Sequence, residues 1–81
     1  MVKRTSQKYY RDEELLIQIG ENIRKTREEL GMSLSSLSSK SKIGYSHLKR
    51  IEQGKVNFRI SYLYRLASVL GIEAGELLIQ A

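Results

Sequence analysis

Between Ser33 and Gly54 the apolar residues are too few for one long helix and too regularly placed for a loop. Leu34, Leu37 and Ser41 fall on one helical face, and Leu48 and Ile51, three apart, fall on another. Ile43 and Gly44 lie between them as a turn, with Gly44 opening the second helix and Gly54 ending it. Each helix is only about two turns long, too short to persist alone in water. The pair must therefore pack on itself and on a scaffold, which constrains the chain to a small helical bundle. Ser35, Ser36, Ser38 and Ser39 are weak helix formers, a composition that would also suit a flexible linker. The apolar spacing and the flanking charges argue for helices.

The scaffold can be read on either side. Asp12 is placed as an N-cap, with Glu13 and Glu14 at the positive end of a helix dipole. Leu15, Leu16, Ile19, Ile23 and Leu30 form the apolar stripe of a long first helix, which Gly31 stops. Ser33 caps the second helix, the first of the short pair. Lys55 to Arg59 reads as a loop. A fourth helix is expected from about Ile60 to Leu70, burying Ile60, Leu63, Leu66, Ala67 and Leu70 and ending at Gly71. Ile72 is expected to pack across the junction, and a short fifth helix from about Glu73 to Ile79 to close the bundle. The fold class is all-α, five helices around one aliphatic core, with no internal repeat.

Composition narrows the function. The 81 residues make one small domain able to bury about 60% of its unfolded surface. Cysteine and proline are absent, which removes disulfides and thiolate metal sites. The apolar runs fall far short of the roughly 20 residues a membrane span needs. Residues 1–11 are polar and basic without an apolar signal core, so a soluble cytoplasmic protein is expected. One histidine, no glycine-rich phosphate loop and no acidic cluster facing a cleft leave an enzyme without its parts. His47 lacks companion ligands, so neither a metal nor another cofactor is expected; it should lie on the outward face or against the second helix.

Charge is unevenly spread. Residues 1–11 carry four bases and no acid and read as a mobile basic arm preceding a domain over 12–81. Asp12 to Met32 carries six acids and three bases, whereas Ser33 to Lys55 carries five bases and one acid. Basic charge thus gathers on the arm and on the two-helix unit, a distribution suited to polyanions. Tyr45, Ser46, His47, Lys49 and Arg50 face outward on the second short helix, a shape and chemistry that fit a DNA major groove.

Taken together, IGENIRKTREELGMS, LSSLSSKSKIGYSHLKRIEQGK and LYRLASVLGI resemble the phage-repressor and Cro-like (XRE-type) helix-turn-helix family. The resemblance runs over roughly Ile19 to Leu78 and rests on joint spacing, including Gly20, Ile23, Arg27, Gly31, Ser33, Leu37, Ile43, Leu48, Ile51, Glu52 and Gly54. It implies a lambda-repressor-like DNA-binding domain whose recognition helix reads bases with Tyr45, Ser46, Lys49 and Arg50. Lysine and arginine can donate to guanine O6 and N7, arginine in bidentate fashion. Serine discriminates weakly, and tyrosine can touch a thymine methyl or a phosphate. The resemblance also implies phosphate contacts from Ser35, Lys40, Gln53, Lys55, Asn57 and Arg59, and an internal ion pair between Arg27 and Glu52.

Three positions depart from the family pattern. Leu34 stands where a phosphate-binding glutamine is usual, Lys42 where the turn usually has glycine, and Ser38 where a small alanine is expected. Ser38 then needs a hydrogen-bond partner, such as a carbonyl one turn back. The implied function is a sequence-specific transcriptional regulator of double-stranded DNA, with no small-molecule ligand. A homodimer on an inverted repeat is expected, as in a phage-type repressor or a restriction–modification controller. Ile72, Leu77, Leu78 and Ile79 are the candidate dimer residues. The rival class is a protein-interaction module, for example an antitoxin-like partner. Steep salt dependence would separate DNA binding from an apolar protein interface.

Overall fold

The computed structural model describes residues 12–79, so the basic arm expected over residues 1–11 lies outside the described residues. Four α-helices follow in order: α1 Asp12–Glu29, α2 Leu34–Ser41, α3 Tyr45–Glu52 and α4 Ile60–Leu70. A 3₁₀ turn, Ala74–Leu77, is the last element among the described residues. The description of α1 opens at Asp12, so the cap expected there lies at the edge of the described residues.

Each long boundary has a local cause. Beyond α1, Met32 N–H donates to the Arg27 carbonyl at 3.0 Å and Gly31 N–H to that of Glu28 at 2.9 Å. This pairing reverses the chain and satisfies the last carbonyls of the helix. Ser33 then caps α2, its hydroxyl accepting from Ser36 N–H at 3.0 Å. The same reversal ends α3, where Lys55 N–H reaches the Arg50 carbonyl at 3.0 Å.

Ile19 and Ile23 of α1, Leu37 of α2, Leu48 and Ile51 of α3, and Leu63, Leu66, Ala67 and Leu70 of α4 meet in one buried cluster. Ile43 from the α2–α3 turn and Leu77 from the 3₁₀ turn complete it. Burying each large aliphatic side chain contributes about 1.5–3 kcal/mol. Two glycines let α1 and α3 touch backbone to backbone. A Cβ on Gly20 would stand 2.5 Å from the carbonyl oxygens of Ile51 and Glu52. At Gly54, which has φ +73°, a Cβ would stand 2.6 Å from the Cα of Ile17.

Three expectations from periodicity need correction. Leu30 is in phase with the α1 stripe but is 54% exposed. It lies beyond the last helical residue, and Met32, carried back by the reversal, packs against the core instead. Ile60 is in phase with α4 but is 68% exposed. As the first helical residue its Cα–Cβ bond leans past the start of the helix, away from the core. Val56 and Phe58 of the preceding loop pack there.

The fifth helix is the third correction. In place of an α-helix over Glu73–Ile79, the chain makes a four-residue 3₁₀ turn held by a capping box between Glu73 and Glu76. Gly75 disfavours propagation. The carbonyls beyond it are claimed by α1: Asn22 Nδ2 donates to Leu77 O at 2.9 Å and Ile79 O at 2.7 Å, and Gln18 Nε2 to Leu78 O at 2.9 Å. Among the described residues, no helix is long and apolar enough to cross a membrane.

Candidate nucleic-acid interface

The geometry of the α2–α3 unit is set by its turn. Lys42 takes φ 60° and ψ 36°, a left-handed conformation that costs a non-glycine residue about 1–2 kcal/mol. Surrounding bonds hold it there. The N–H groups of Lys42 and Ile43 both reach the Ser38 carbonyl. The Ser38 hydroxyl donates forward to the Ile43 carbonyl at 2.6 Å, so its partner lies across the turn and not one turn back. Arg65 of α4 adds two bonds from Nη1, to Ser41 O at 3.0 Å and Lys42 O at 3.2 Å. Arg65 carries no signal in the sequence, because its partners are backbone carbonyls brought near only by folding.

On α3, helical rotation of about 100° per residue places Tyr45, Ser46, Lys49 and Arg50 within an arc of about 140°. All four are exposed, Tyr45 to 49%. The opposite arc, Leu48, Ile51 and Glu52, is buried. The helix α3 is therefore two-faced: one side is held by the core and the other presents hydroxyls and cations to solvent.

Glu52 is turned inward. Arg27 Nε lies 2.8 Å from its Oε2 and Arg27 Nη2 3.0 Å from its Oε1, a bidentate pair joining α1 to α3. Arg27 also donates from Nη1 to the Met32 carbonyl at 3.0 Å, fixing the approach to α2. The Glu52 hydrogen bonds outweigh burial and hold the Arg27 guanidinium above its ordinary pKa. Electrostatically, the segment Ser33 to Lys55 has its one acid buried and matched, whereas Lys40, Lys42, Lys49, Arg50 and Lys55 are all exposed. The outer field is thus more positive than the sequence sum suggests.

Ser35 and Lys40 on α2, Gln53 and Lys55 after α3, and Asn57 and Arg59 in the loop are likewise exposed. Leu34 is half-buried and packs against the core, so the departure there is a packing residue. His47 packs against α4 and not against the second helix. It is half-buried, with its ring centroid 5.7 Å from that of Tyr62 on α4 in an edge-to-face contact. His47, Asn57, Phe58, Arg59 and Tyr62 line an open cleft of about 520 Å³ beside α3. Among the described residues, no cluster of histidine, cysteine or acidic side chains could hold a metal.

The apolar C-terminal residues divide. Leu77 is wholly buried, which removes it as a free contact residue, and Ile72 is half-buried against the core. Leu78 and Ile79 remain exposed.

Residues 23–77 match the family described as Helix-turn-helix (HTH_3). The fold is similar to the restriction–modification controller protein C.AhdI from Aeromonas hydrophila, with a TM-score of 0.74 and 31% identity over 76% of this chain and 94% of that one. It is also similar to SinR, a master regulator for biofilm formation solved in complex with DNA, with a TM-score of 0.71 and 35% identity over 75% of this chain and 98% of that one. The clp gene regulator ClgR from Corynebacterium glutamicum shares the fold, with a TM-score of 0.76 at 23% identity, over 79% of this chain and 68% of that one. No curated protein matches the sequence.

Proposed function

The chain belongs to the helix-turn-helix family of DNA-binding transcriptional regulators, and on that premise we propose that it reads a specific operator in duplex DNA through the outer face of α3. The observation that carries this reading is the two-faced α3, whose Tyr45, Ser46, Lys49 and Arg50 stand exposed on one arc while the other arc is locked into the core. Lys49 and Arg50 supply the donors that guanine edges accept, and Arg50 can make the bidentate contact. Tyr45, first in the helix, is placed to meet the duplex most directly. Ser35, Lys40, Gln53, Lys55, Asn57 and Arg59 serve the phosphate backbone on either side and set the register.

One such domain offers few base contacts. We therefore assign the working unit as a homodimer on two half-sites about 34 Å apart. Leu78 and Ile79 are the contact residues left available by the burial of Leu77, and bonds from Gln18 and Asn22 fix the backbone that presents them. Likeness to a restriction–modification controller protein supports a regulatory role.

A gel-shift series with fragments of the source genome, including the region upstream of the gene, tests the reading. Binding should be specific and should weaken steeply with salt. Lys49→Ala and Arg50→Ala should each lower specific binding by about 1–3 kcal/mol while leaving the fold intact. Unchanged specific binding in both variants would refute the reader assignment.

A further inference from the structure

Tyr62 is the meeting point of α4, the recognition helix and the loop between them. Its half-buried ring receives the His47 imidazole at 5.7 Å between centroids, with the two planes at 72°. The Arg65 guanidinium carbon lies over the same ring at 4.8 Å from the centroid, and that of Arg59 at 5.8 Å. Arg65 in turn holds the Ser41 and Lys42 carbonyls of the α2–α3 turn. One side chain thus bears on the recognition helix, on the loop arginine and, through a second arginine, on the turn that aims the helix.

The ring draws positive charge to this point: its negative face attracts both guanidiniums, of which Arg59 lines the adjoining cleft. Among the described residues, those lining the adjoining cleft are His47, Asn57, Phe58, Arg59 and Tyr62, none of them acidic. An anion seated in the cleft would meet the Asn57 amide and the Arg59 guanidinium as donors, with Phe58 and Tyr62 as apolar wall. A backbone phosphodiester beside the groove occupied by α3 has the charge and acceptor chemistry for it.

Resting on the reading of α3 as the DNA-reading helix, we propose that Tyr62 is a positioning residue for duplex DNA. It holds Arg59 toward one backbone phosphate and, by the same ring, braces His47 so that α3 keeps its angle to the turn. Phosphate grip and base reading then depend on a residue that contacts no base.

The test is fluorescence anisotropy of the full chain with a duplex selected by gel shift, across a salt series. Arg59→Gln alters an exposed side chain and should reduce the slope of log K against log salt by about 0.9, one phosphate contact. Tyr62→Leu should reduce it equally, the double variant should lose no more salt dependence than either single one, and Tyr62→Phe should restore the slope lost in Tyr62→Leu. An unchanged slope in Arg59→Gln overturns the proposal, as does additive loss in the double variant or failure of Tyr62→Phe to restore the slope. If Tyr62→Leu does not fold, Tyr62→Met, which also removes the ring, takes its place in the same comparisons. Should the unsubstituted chain bind no duplex, the DNA-reading role of α3 falls with the proposal; should it bind while Arg59→Gln keeps the slope, only the proposal falls.

Discussion

Arg27→Met removes the guanidinium that ties α1 to α3 while keeping most of the apolar stem. Glu52, its side chain 6% exposed, is then a carboxylate without its bidentate partner, and the Met32 carbonyl loses a donor at 3.0 Å. Breaking a buried pair from one side costs about 3–5 kcal/mol. The lower end applies here, because the Arg27 side chain is 13% exposed and water can reach the vacated position. Domains carry about 0.05–0.15 kcal/mol of stability per residue, so about 4–12 kcal/mol for a chain of 81 residues. A loss of about 3 kcal/mol is a large part of that and should lower Tm by roughly 12–24 °C. Thermal and urea unfolding followed by far-ultraviolet circular dichroism reads both quantities at fixed protein concentration. Arg27→Met with Glu52→Leu should recover most of the loss, since neither charge then remains buried alone. Arg24→Ala is the internal control: its pair with Glu28 at 3.2 Å is about half exposed on both sides and should contribute only about 0.3–0.5 kcal/mol. A loss below about 1 kcal/mol for Arg27→Met, or a double variant no better than the single, would refute the reasoning.

Four further outcomes follow from the geometry. Lys42→Gly should stabilise the domain by about 0.5–1 kcal/mol, because relief of the left-handed strain at φ 60° exceeds the added unfolded-state entropy; a urea midpoint that falls would contradict this. Gly20→Ala should destabilise by about 1–3 kcal/mol, since its Cβ would meet the backbone oxygens of Ile51 and Glu52. Gly75→Ala, whose Cβ would meet nothing within 4 Å, should be close to neutral in the same assay. Asn22→Leu should cost about 1–3 kcal/mol by stranding the Leu77 and Ile79 carbonyls. Hydrogen exchange should then speed up at the Leu78 amide, which bonds Gly75 O, before it does in α3; equal protection there would show that the clamp is dispensable.

The helix-turn-helix unit was legible because its signals are local. A serine cap at Ser33, apolar spacing through Leu37, Leu48 and Ile51, and a reversal at Gly54 each act within one or two turns of chain. Leu30 and Ile60 misled for the same reason. Periodicity continues past the point where the chain leaves the core, and it takes no account of the direction in which a first-turn side chain leans. The C-terminal segment was misread because its carbonyls are taken by Asn22 and Gln18, more than fifty residues away in sequence.

What the sequence determined by itself was the all-α class, the position of the short helix pair and the polar arc of α3, since these follow from short-range spacing and capping. Folding decided the rest. The clamp of Arg65 on a strained Lys42 turn and the edge contact of His47 with Tyr62 depend on distances that close only in the packed state. A hydrogen bond or an edge-to-face ring contact reports an angle and a few ångströms, and residue order carries neither across fifteen or more positions.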